Sequence, residues 1–432
     1  MTAVGRYMNS VAWGLCVMSS VAGMMNGPAA AAESTLSVDR FVDGIALNTH
    51  INYTDGAYAN VKNVRDDLIW LGVRHVRDAT PGASAPLSSY AYLANSGIRF
   101  DFLVRREIAQ SLAQIKVVEA ALPGSVEAVE GFNEINNWPV TYDGLKGDAA
   151  GLAAQRAIYA FVHGDASLAN IPVYDLTGYD VLSVTSRAGS ADYADQHVYA
   201  QNGEQPGYNA NGDAWIKMGI RGVERFALPV VITEFGYFTL PQSGWYQIGV
   251  DEDSQAKGIL NGLFDAAISG VSRTYLYELL DEKPDPRQVD AGMHYGLFTF
   301  DNRAKPAAIA LHNLIVILKA NGNTALNGIA EEARRYTVSD LPPSGRSVLL
   351  RKANGTFILA LWNEVPFWDR ASGKPVISSS APVLVDLGGM AARVDLYDPT
   401  RGTAPCQTER NVKQLRVDVP DHPVLLEVTF PN

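Results

Sequence analysis

Two glutamates each follow a short apolar run of the kind that forms a buried β-strand. Glu134 follows residues 129–133, and Glu234 follows residues 230–233. A pair of carboxylates can break a glycosidic bond when one protonates the leaving oxygen and the other attacks the sugar or activates water. A lone glutamate at either place would be an ordinary solvated carboxylate. Two of them make a candidate pair of acid and nucleophile.

Elements that could position this pair alternate along the chain between residues 40 and 320. Helix-period segments, such as 152–162 and 309–318, separate short apolar runs that predict strands. Gly178 and Gly189 interrupt the segment after Leu176, where we expect an irregular connection. Eight parallel strands with intervening helices predict a (β/α)8 TIM barrel. The eight candidate strands are 44–47, 73–77, 99–104, 127–132, 172–176, 195–199, 230–233 and 274–277.

A second kind of segment begins after about residue 325. Short alternating runs separated by Gly, Pro, Asn and Asp turns predict an antiparallel β-sandwich. The fold class is therefore α/β, with a barrel over 33–325 and a C-terminal sandwich over 326–432. Residues 33–43 either add a strand to the sandwich or cap the base of the barrel. The candidate strands of the sandwich are 347–351, 356–362, 382–386, 392–397, 414–419 and 424–430.

Residues 1–32 have the pattern of a secretory signal peptide. Arg6 is the positive charge, residues 11–25 are mainly apolar, and residues 30–32 are the small residues of a cleavage site. The rival interpretation is an uncleaved anchor, but Gly and Ser interrupt the apolar run, which is short for a membrane span. We expect a bacterial protein that is secreted or periplasmic, without a membrane partner after cleavage.

Composition restricts the partners. Apolar residues make up 47% of the 432 and charged residues 19%, which is typical of a globular protein. The formal net charge of −11 excludes a nucleic-acid partner. Cleavage would leave Cys406 as the single cysteine, so no intrachain disulfide can form. The histidines match no zinc-binding spacing. We expect no metal, no cofactor, a carbohydrate substrate and a monomer.

Barrel geometry places both glutamates at one mouth, because the C-terminal ends of the strands face the site. Glu134 would follow strand four and Glu234 would end strand seven. Arg77 would end strand two, where an arginine is costly to bury without a carboxylate, so we expect it to pair with Glu234. His50 follows strand one and either binds a sugar hydroxyl or is structural. His197 and Tyr199 end strand six.

Several motifs resemble those of the clan A retaining β-glycosidases, which include families 5 and 39. The resemblance implies that Glu134 is the acid/base, that Glu234 is the nucleophile and that Asn133 binds the sugar 2-hydroxyl. It also implies that His197 or Tyr199 contacts the nucleophile. The motifs are GFNE (131–134), ITEFG (232–236), LGVRHVR (71–77), YGLF (295–298) and KPA (305–307).

Side chains beside the pair suggest further roles. Phe132 and Trp138 would desolvate Glu134 and raise its pKa, as a general acid requires. Trp138 could also stack on a sugar. At the end of strand eight, where many clan members carry a tryptophan, this chain has Tyr277 and Glu278. Glu278 is a substrate-binding candidate and the main competitor for a catalytic carboxylate.

The sequence predicts an exported retaining β-glycoside hydrolase that acts on a β-linked oligo- or polysaccharide. Two alternatives use the same residues. A catalytically idle barrel could bind a glycan as a sensor or assembly partner, although such a protein has no chemical need for both glutamates. A transglycosylase would pass the sugar to another sugar in place of water.

Overall fold

Eight parallel strands form a nearly closed barrel. The computed structural model describes residues 18–20, 35–208, 214–242, 249–320 and 336–431. Neighbouring strands pair in the order β6-β7-β8-β1-β2-β3-β4-β5, and a bridge between Tyr174 and Tyr193 joins β5 to the start of β6. The predicted TIM barrel is confirmed. Its strands are β1 Ile45–Asn48, β2 His75–Ala79, β3 Arg99–Leu103, β4 Val126–Glu130, β5 Val173–Tyr174, β6 Ala194–His197, β7 Val230–Phe235 and β8 Arg273–Leu276.

Helices connect every pair of successive barrel strands except β5 and β6. There the chain forms only the 3-10 turn Val181–Ser183, in agreement with the two glycines of this segment. None of the helices in the described part of the chain is long and apolar enough to cross a membrane. The helices are α1 Val38–Asp43, α2 Val61–Leu71, α3 Leu87–Ala94, α4 Ile108–Ala121, α5 Gly147–Gly164, α6 Trp215–Val223, α7 Glu252–Ile268 and α8 Pro306–Lys319.

Helix α2 illustrates how local sequence sets these boundaries. The Asn60 side chain accepts a hydrogen bond from the backbone N–H of Asn63, which satisfies a free donor at the helix start. Gly72 ends the helix with φ 81°, a left-handed conformation that costs glycine no steric strain. Between them, Val64 and Leu68 bury one face of the helix in the barrel core.

The barrel interior changes from apolar to polar along the strands. Near the middle, the small residues Ala46 and Ala128 leave space for the rings of Tyr174 and Tyr275. Because side chains alternate along a strand, the next inward position on β1, β4 and β7 is two residues further on. These positions are buried and polar, and they form the floor of the mouth: Asn48, Glu130 and Thr233.

The C-terminal antiparallel β-sandwich is also confirmed. One prediction within it was wrong, because 382–386 and 392–397 belong to a single long strand that a bulge between Asp386 and Ala391 bends. The predicted boundary at residue 325 falls within 321–335, outside the described residues. The strands are β9 Thr337–Ser339, β10 Gly345–Arg351, β11 Phe357–Asn363, β12 Ala381–Tyr397, β13 Gln407–Val419 and β14 Val424–Thr429.

Two N-terminal segments join this second sheet. Leu36–Ser37 pairs in parallel with β10, and α1 then leads into β1, so the described part of the predicted 33–43 segment links the sandwich to the barrel. Met18–Ser20 pairs with β13 in an antiparallel manner. The rest of the predicted signal peptide, 1–32, lies outside the described residues.

The sandwich packs closely against the barrel helices. The Trp362 ring lies 5.4 Å from that of Phe264 on α7, measured between centroids. The Lys257 ammonium group is 2.7 Å from the Asp421 carboxylate, and the Asn261 amide donates to the backbone carbonyl of Asp421. Apolar residues of β10 and β11 belong to the same core cluster as the barrel. The two domains therefore share buried surface.

A buried histidine of the sandwich makes the stability depend on pH. His422 lies 2.9 Å from the Asp421 carboxylate and 3.2 Å from that of Asp398. Burial alone would lower the pKa of His422, but the charges and hydrogen bonds of Asp398 and Asp421 raise it to about 9. This folded-state pKa exceeds the unfolded value of about 6.5.

We expect the contribution of His422 to stability to be complete below about pH 6.5 and to disappear as the pH rises through about 9. The free energy of unfolding should therefore fall over this interval. Urea denaturation at several pH values measures it. In the His422→Gln variant the curve should be flatter between these pH values, and an unchanged slope would contradict the assignment.

Candidate active site

Glu134 and Glu234 meet at the C-terminal mouth of the barrel. Glu234 lies inside β7, next to its last residue, and Glu134 lies in the loop after β4. A carboxylate oxygen of each, together with a nitrogen of His197, falls within a group whose atoms are all within 4.8 Å of one another. Retaining glycosidases place their two carboxyl groups roughly 5–5.5 Å apart, whereas inverting enzymes need more space for a water.

The backbone at Glu134 has an unusual conformation that the neighbouring loop holds in place. Its φ is 41°, in the left-handed region. The backbone N–H of Glu134 donates to the Thr177 hydroxyl, and the Ile135 N–H donates to the Thr177 carbonyl. A Cβ atom on Gly178 would lie 2.8 Å from the Cα of Glu134, so only glycine fits there. The glycine that interrupts the helical pattern thus makes room for the loop.

Both oxygens of Glu234 receive a hydrogen bond. Arg77 Nη1 donates to Oε1 at 2.7 Å, and the Tyr199 hydroxyl donates to Oε2 at 2.7 Å. The Glu234 side chain is largely buried. Hydrogen bonds from a guanidinium group and a hydroxyl group hold both oxygens and fix the orientation of the carboxylate. The expected pairing of Arg77 with Glu234 is present in the structure.

Arg77 also binds a carboxylate that the sequence reasoning missed. Its Nε and Nη2 donate to the two oxygens of Glu130 at 2.6 and 2.7 Å. Nη1 and Nη2 also donate to Asn48 Oδ1 and Asn133 Oδ1. Glu130 is 0% exposed. A charged residue at an inward position of an apolar strand was the available signal, because a buried charge needs a partner.

Glu134 carries a different set of donors. His197 Nδ1 lies 2.9 Å from Oε1, and Asn137 Nδ2 donates to Oε2 at 2.9 Å. The hydrogen bond with His197 is the main cause that lowers the pKa of Glu134 to about 2. The expectation that Phe132 and Trp138 raise this pKa was therefore wrong. Phe132 is buried in the barrel core, and Trp138 is 60% exposed.

His197 lies between the two glutamates. Its Nδ1 is 3.5 Å from Glu234 Oε2, which is further than from Glu134. The contact with the nucleophile position that the family resemblance implies is thus made by the Tyr199 hydroxyl, and His197 bonds to the acid position. Burial lowers the pKa of His197, but the charge of Glu234 and the bond with Glu134 outweigh it, so the pKa is raised. An imidazolium between two carboxylates follows.

The remaining substrate-binding candidates surround this centre. Asn133 accepts a hydrogen bond from Arg77, which leaves its amide N–H groups as donors for a ligand. The Tyr277 ring packs edge-on against those of Tyr199 and Tyr295, at centroid distances of 6.4 and 5.3 Å. Trp138 lies on the exposed rim.

His50 and Glu278 form a neutral pair beside Tyr277. Burial raises the pKa of Glu278 well above its usual range and lowers that of His50 to about 3. Their side chains are 3.4 Å apart, and the Tyr58 hydroxyl donates to Glu278 Oε2 at 2.9 Å. A fully buried, protonated carboxyl group is a poor nucleophile. Its environment distinguishes Glu278 from Glu234, with which it competes on sequence alone.

Among the residues that the structure describes, three groups of side chains bring metal-ligand atoms within 4.8 Å of one another. Two of them contain His197, whose raised pKa means that a proton would compete with a metal for its nitrogen. Arg77 already supplies a positive charge to Glu130 and Glu234. The three groups are Glu134-His197-Glu234, Glu130-Asp195-His197 and His50-Glu278-Glu282.

Solved structures with the same fold include glycoside hydrolases. The GH39 enzyme from Xanthomonas axonopodis pv. citri superposes with a TM-score of 0.52 at 14% identity, over 93% of this chain and 96% of that one. A monomeric β-xylosidase from Caulobacter crescentus CB15 superposes with a TM-score of 0.53 at 14% identity, over 94% and 98%. No protein-family model and no curated protein sequence matches. At this identity the similarity shows a shared fold over both domains.

We expect the Arg77→Met variant to be strongly destabilised, because it leaves the Glu130 carboxylate buried without its partner. Breaking a buried ion pair costs about 3–5 kcal/mol. Urea denaturation at neutral pH measures the change. The control is Arg393→Met, which removes a partly exposed arginine paired with Asp395 and should cost about 0–1 kcal/mol. Equal losses in the two variants would contradict this account.

Proposed function

We propose that this protein is a retaining β-glycoside hydrolase with Glu234 as nucleophile and Glu134 as acid/base. The observation that supports it best is the short separation of the two carboxylates at the barrel mouth. The separation suits direct attack on the sugar. Their unlike donor sets suit unlike roles, since Glu234 is bound by Arg77 and Tyr199 and Glu134 by His197.

The reaction then takes two steps. The Glu234 carboxylate attacks the anomeric carbon, and a glycosyl ester forms as the bond to the leaving oxygen breaks. The leaving oxygen receives a proton by way of Glu134. In the second step Glu134 accepts a proton from water, the water oxygen attacks the anomeric carbon, and Glu234 is released as a carboxylate.

The proton for the leaving group rests on His197 before the reaction, because Glu134 is ionised in the free site. Apart from burial, the charge of Glu234 has the largest influence on the pKa of His197. Formation of the glycosyl ester removes that charge and makes His197 more acidic. The proton can then pass along the hydrogen bond from Nδ1 to Glu134 and on to the leaving oxygen. The second step returns it by the same path.

The substrate in this proposal is a β-linked oligo- or polysaccharide. Tyr277 and the exposed Trp138 offer aromatic surfaces, on which sugar rings stack. His50 is uncharged and partly exposed, so it offers a hydrogen-bonding group to a sugar, whereas Glu278 is fully buried behind it. The β-xylosidase with the same fold, named for its activity on β-xylosides, supports β-glycosides as the first substrates to test.

The two alternatives remain distinct proposals. A transglycosylase would use the same ester on Glu234 with a sugar acceptor, and analysis of the products for longer oligosaccharides separates it from a hydrolase. An idle glycan-binding barrel would bind these sugars without turnover. The complete set of donors around both glutamates favours an enzyme.

We also propose export, because residues 1–32 carry the pattern of a signal peptide. Cleavage after residue 32 would remove Met18–Ser20 from the edge of the sandwich sheet and leave Leu36–Ser37 in place. N-terminal sequencing of the protein recovered from bacterial periplasm and medium tests this. A protein that retains residue 1 would contradict it.

The first experiment is a panel of β-linked polysaccharides and aryl β-glycosides. For the substrate that the wild type cleaves, we expect Glu234→Ala to lose at least about 10⁴-fold in kcat, since no ester can form. Azide should restore turnover of the aryl glycoside and give a glycosyl azide of inverted configuration, identified by NMR. Glu134→Ala is the matched control, in which azide should give the retained configuration. The same configuration from both variants would contradict the assigned roles.

The pH dependence tests the role of His197. In the wild type, the pair of His197 and Glu134 holds its proton to above pH 6.5, because the pKa of His197 is raised. In His197→Asn, Glu134 alone holds it, so the alkaline limb of kcat/KM should move down by at least about two pH units. Tyr199→Phe is the control and should keep the alkaline limb. An alkaline limb unchanged in His197→Asn would remove the histidine from the proton path.

A further inference from the structure

We propose that Glu130 is a positioning residue that holds Arg77 in place and compensates its charge, so that Glu234 stays reactive. This inference rests on the proposed role of Glu234 as nucleophile. Glu130 is a fully buried charged residue at the floor of the mouth, and it acts on Glu234 through Arg77.

Glu130 fixes the orientation of the Arg77 side chain. A guanidinium group has five N–H donors in a fixed plane. Glu130 takes one from Nε and one from Nη2, at 2.6 and 2.7 Å, and this paired contact fixes the plane of the group. Within that plane Nη1 points to Glu234 Oε1 at 2.7 Å. Without Glu130, Arg77 would keep only single bonds to Asn48, Asn133 and Glu234 itself.

Glu130 also compensates the positive charge of Arg77. Asp101 and Asp195 lie in the same buried layer, and burial, followed by the charge of Glu130, raises their pKa values well above the usual range. The two aspartates are therefore neutral. Glu130 is the carboxylate of this layer that balances the charge of Arg77, because the guanidinium group bonds to both of its oxygens. An uncompensated Arg77 would bind Glu234 as a full ion pair at low dielectric and make its carboxylate a weaker nucleophile.

The effect of Glu130 on Glu234 has to be judged among all the charged and titratable groups that face them. These come from β2, β3 and β6 and from the segments that follow β4, β6 and β8. They are Arg77, Asp101, Glu134, Asp195, His197, Tyr199 and Tyr277. A substitution of Glu130 alters the charge that compensates Arg77 and leaves each of these seven groups in place.

Two variants separate the effect of the charge of Glu130 from the effect of its side-chain length. Glu130→Gln removes the charge and keeps the length, and Glu130→Asp keeps the charge and shortens the side chain. The matched control is Glu127→Gln. Glu127 lies on the same strand and pairs with Arg273 and His75, at the opposite end of the barrel from the catalytic mouth.

In Glu130→Gln we expect the acidic limb of kcat/KM to move to lower pH by about one unit, because an uncompensated Arg77 favours the ionised Glu234. The kcat should fall by about 10- to 100-fold with little change in KM. In Glu130→Asp the acidic limb should stay and kcat should fall, because Arg77 is held less firmly. Glu127→Gln should keep both values.

A residue needed only for stability would give another pattern. Glu130→Gln would then lower the free energy of unfolding and leave the acidic limb in place, and this outcome overturns the proposal. If Glu130→Gln does not fold, Glu130→Asp is the test. A wild-type kcat in Glu130→Asp also overturns the proposal. Crystal structures should show Arg77 still in contact with Glu234 in Glu130→Gln, and a less firmly held Arg77 side chain in Glu130→Asp.

A readout without turnover separates this test from the proposed function. ¹³C NMR of protein labelled at the glutamate δ-carbon, with the Glu234 signal assigned by its loss in Glu234→Gln, follows the titration of that carboxylate directly. The midpoint should move to lower pH in Glu130→Gln and stay in Glu127→Gln. A wild type that cleaves no glycoside would refute the function, yet this shift would still show the effect of Glu130. An unmoved midpoint would refute the effect even in an active enzyme.

Discussion

The placement of one buried cation governs the whole mouth of the barrel. Arg77 is 4% exposed and bonds to residues from β1, β4, β7 and the loop after β4. A guanidinium group removed from water is stable only with several acceptors at good geometry. Each of these acceptors must therefore arrive in the correct register, and the polar layer acts as a single unit.

The two carboxylates that we propose as catalytic owe their difference to the elements that carry them. Glu234 is part of β7, and a register shift between Ile232 and Phe235 lets its side chain reach Arg77 although the preceding Thr233 also faces inward. Glu134 lies beyond β4 in a left-handed conformation that Thr177 and Gly178 support from the next loop. Histidine bonding then sets the ionisation of Glu134 more strongly than apolar neighbours do. The strand β7 and the supported loop after β4 thus hold the two side chains of the proposed reaction, Glu234 and Glu134, in fixed positions.

Much of this fold was predictable, because it follows from periodicity. The alternation of apolar strands and helix-period segments predicted the eight-stranded barrel, and the change of pattern after residue 325 predicted the sandwich. The bulge in β12 was missed, since the turn-like residues between 386 and 391 have the same composition whether a strand bends or ends. Strand β5 was predicted too long, because Asp175 and Leu176, which follow it, are also buried.

The site was less predictable than the fold. The positions of Glu134, Glu234 and Arg77 followed from strand order alone, but their partners did not. Side-chain direction decides whether His197 or Tyr199 bonds to Glu234, and this direction depends on where β6 ends, at His197 rather than at residue 199. Glu130 was overlooked because it lies inside a run that reads as apolar. The pKa of Glu134 depends on a contact made across the barrel, which no local pattern contains.

The shared surface between the domains has a consequence for the evolution of this architecture. Trp362, Leu350 and Leu425 of the sandwich bury their side chains in the same cluster as the outer helices α7 and α8. A barrel released from its sandwich would present these helices' apolar faces to water and would tend to aggregate. Recombination that exchanges one module alone is therefore disfavoured, and the two halves should be inherited together.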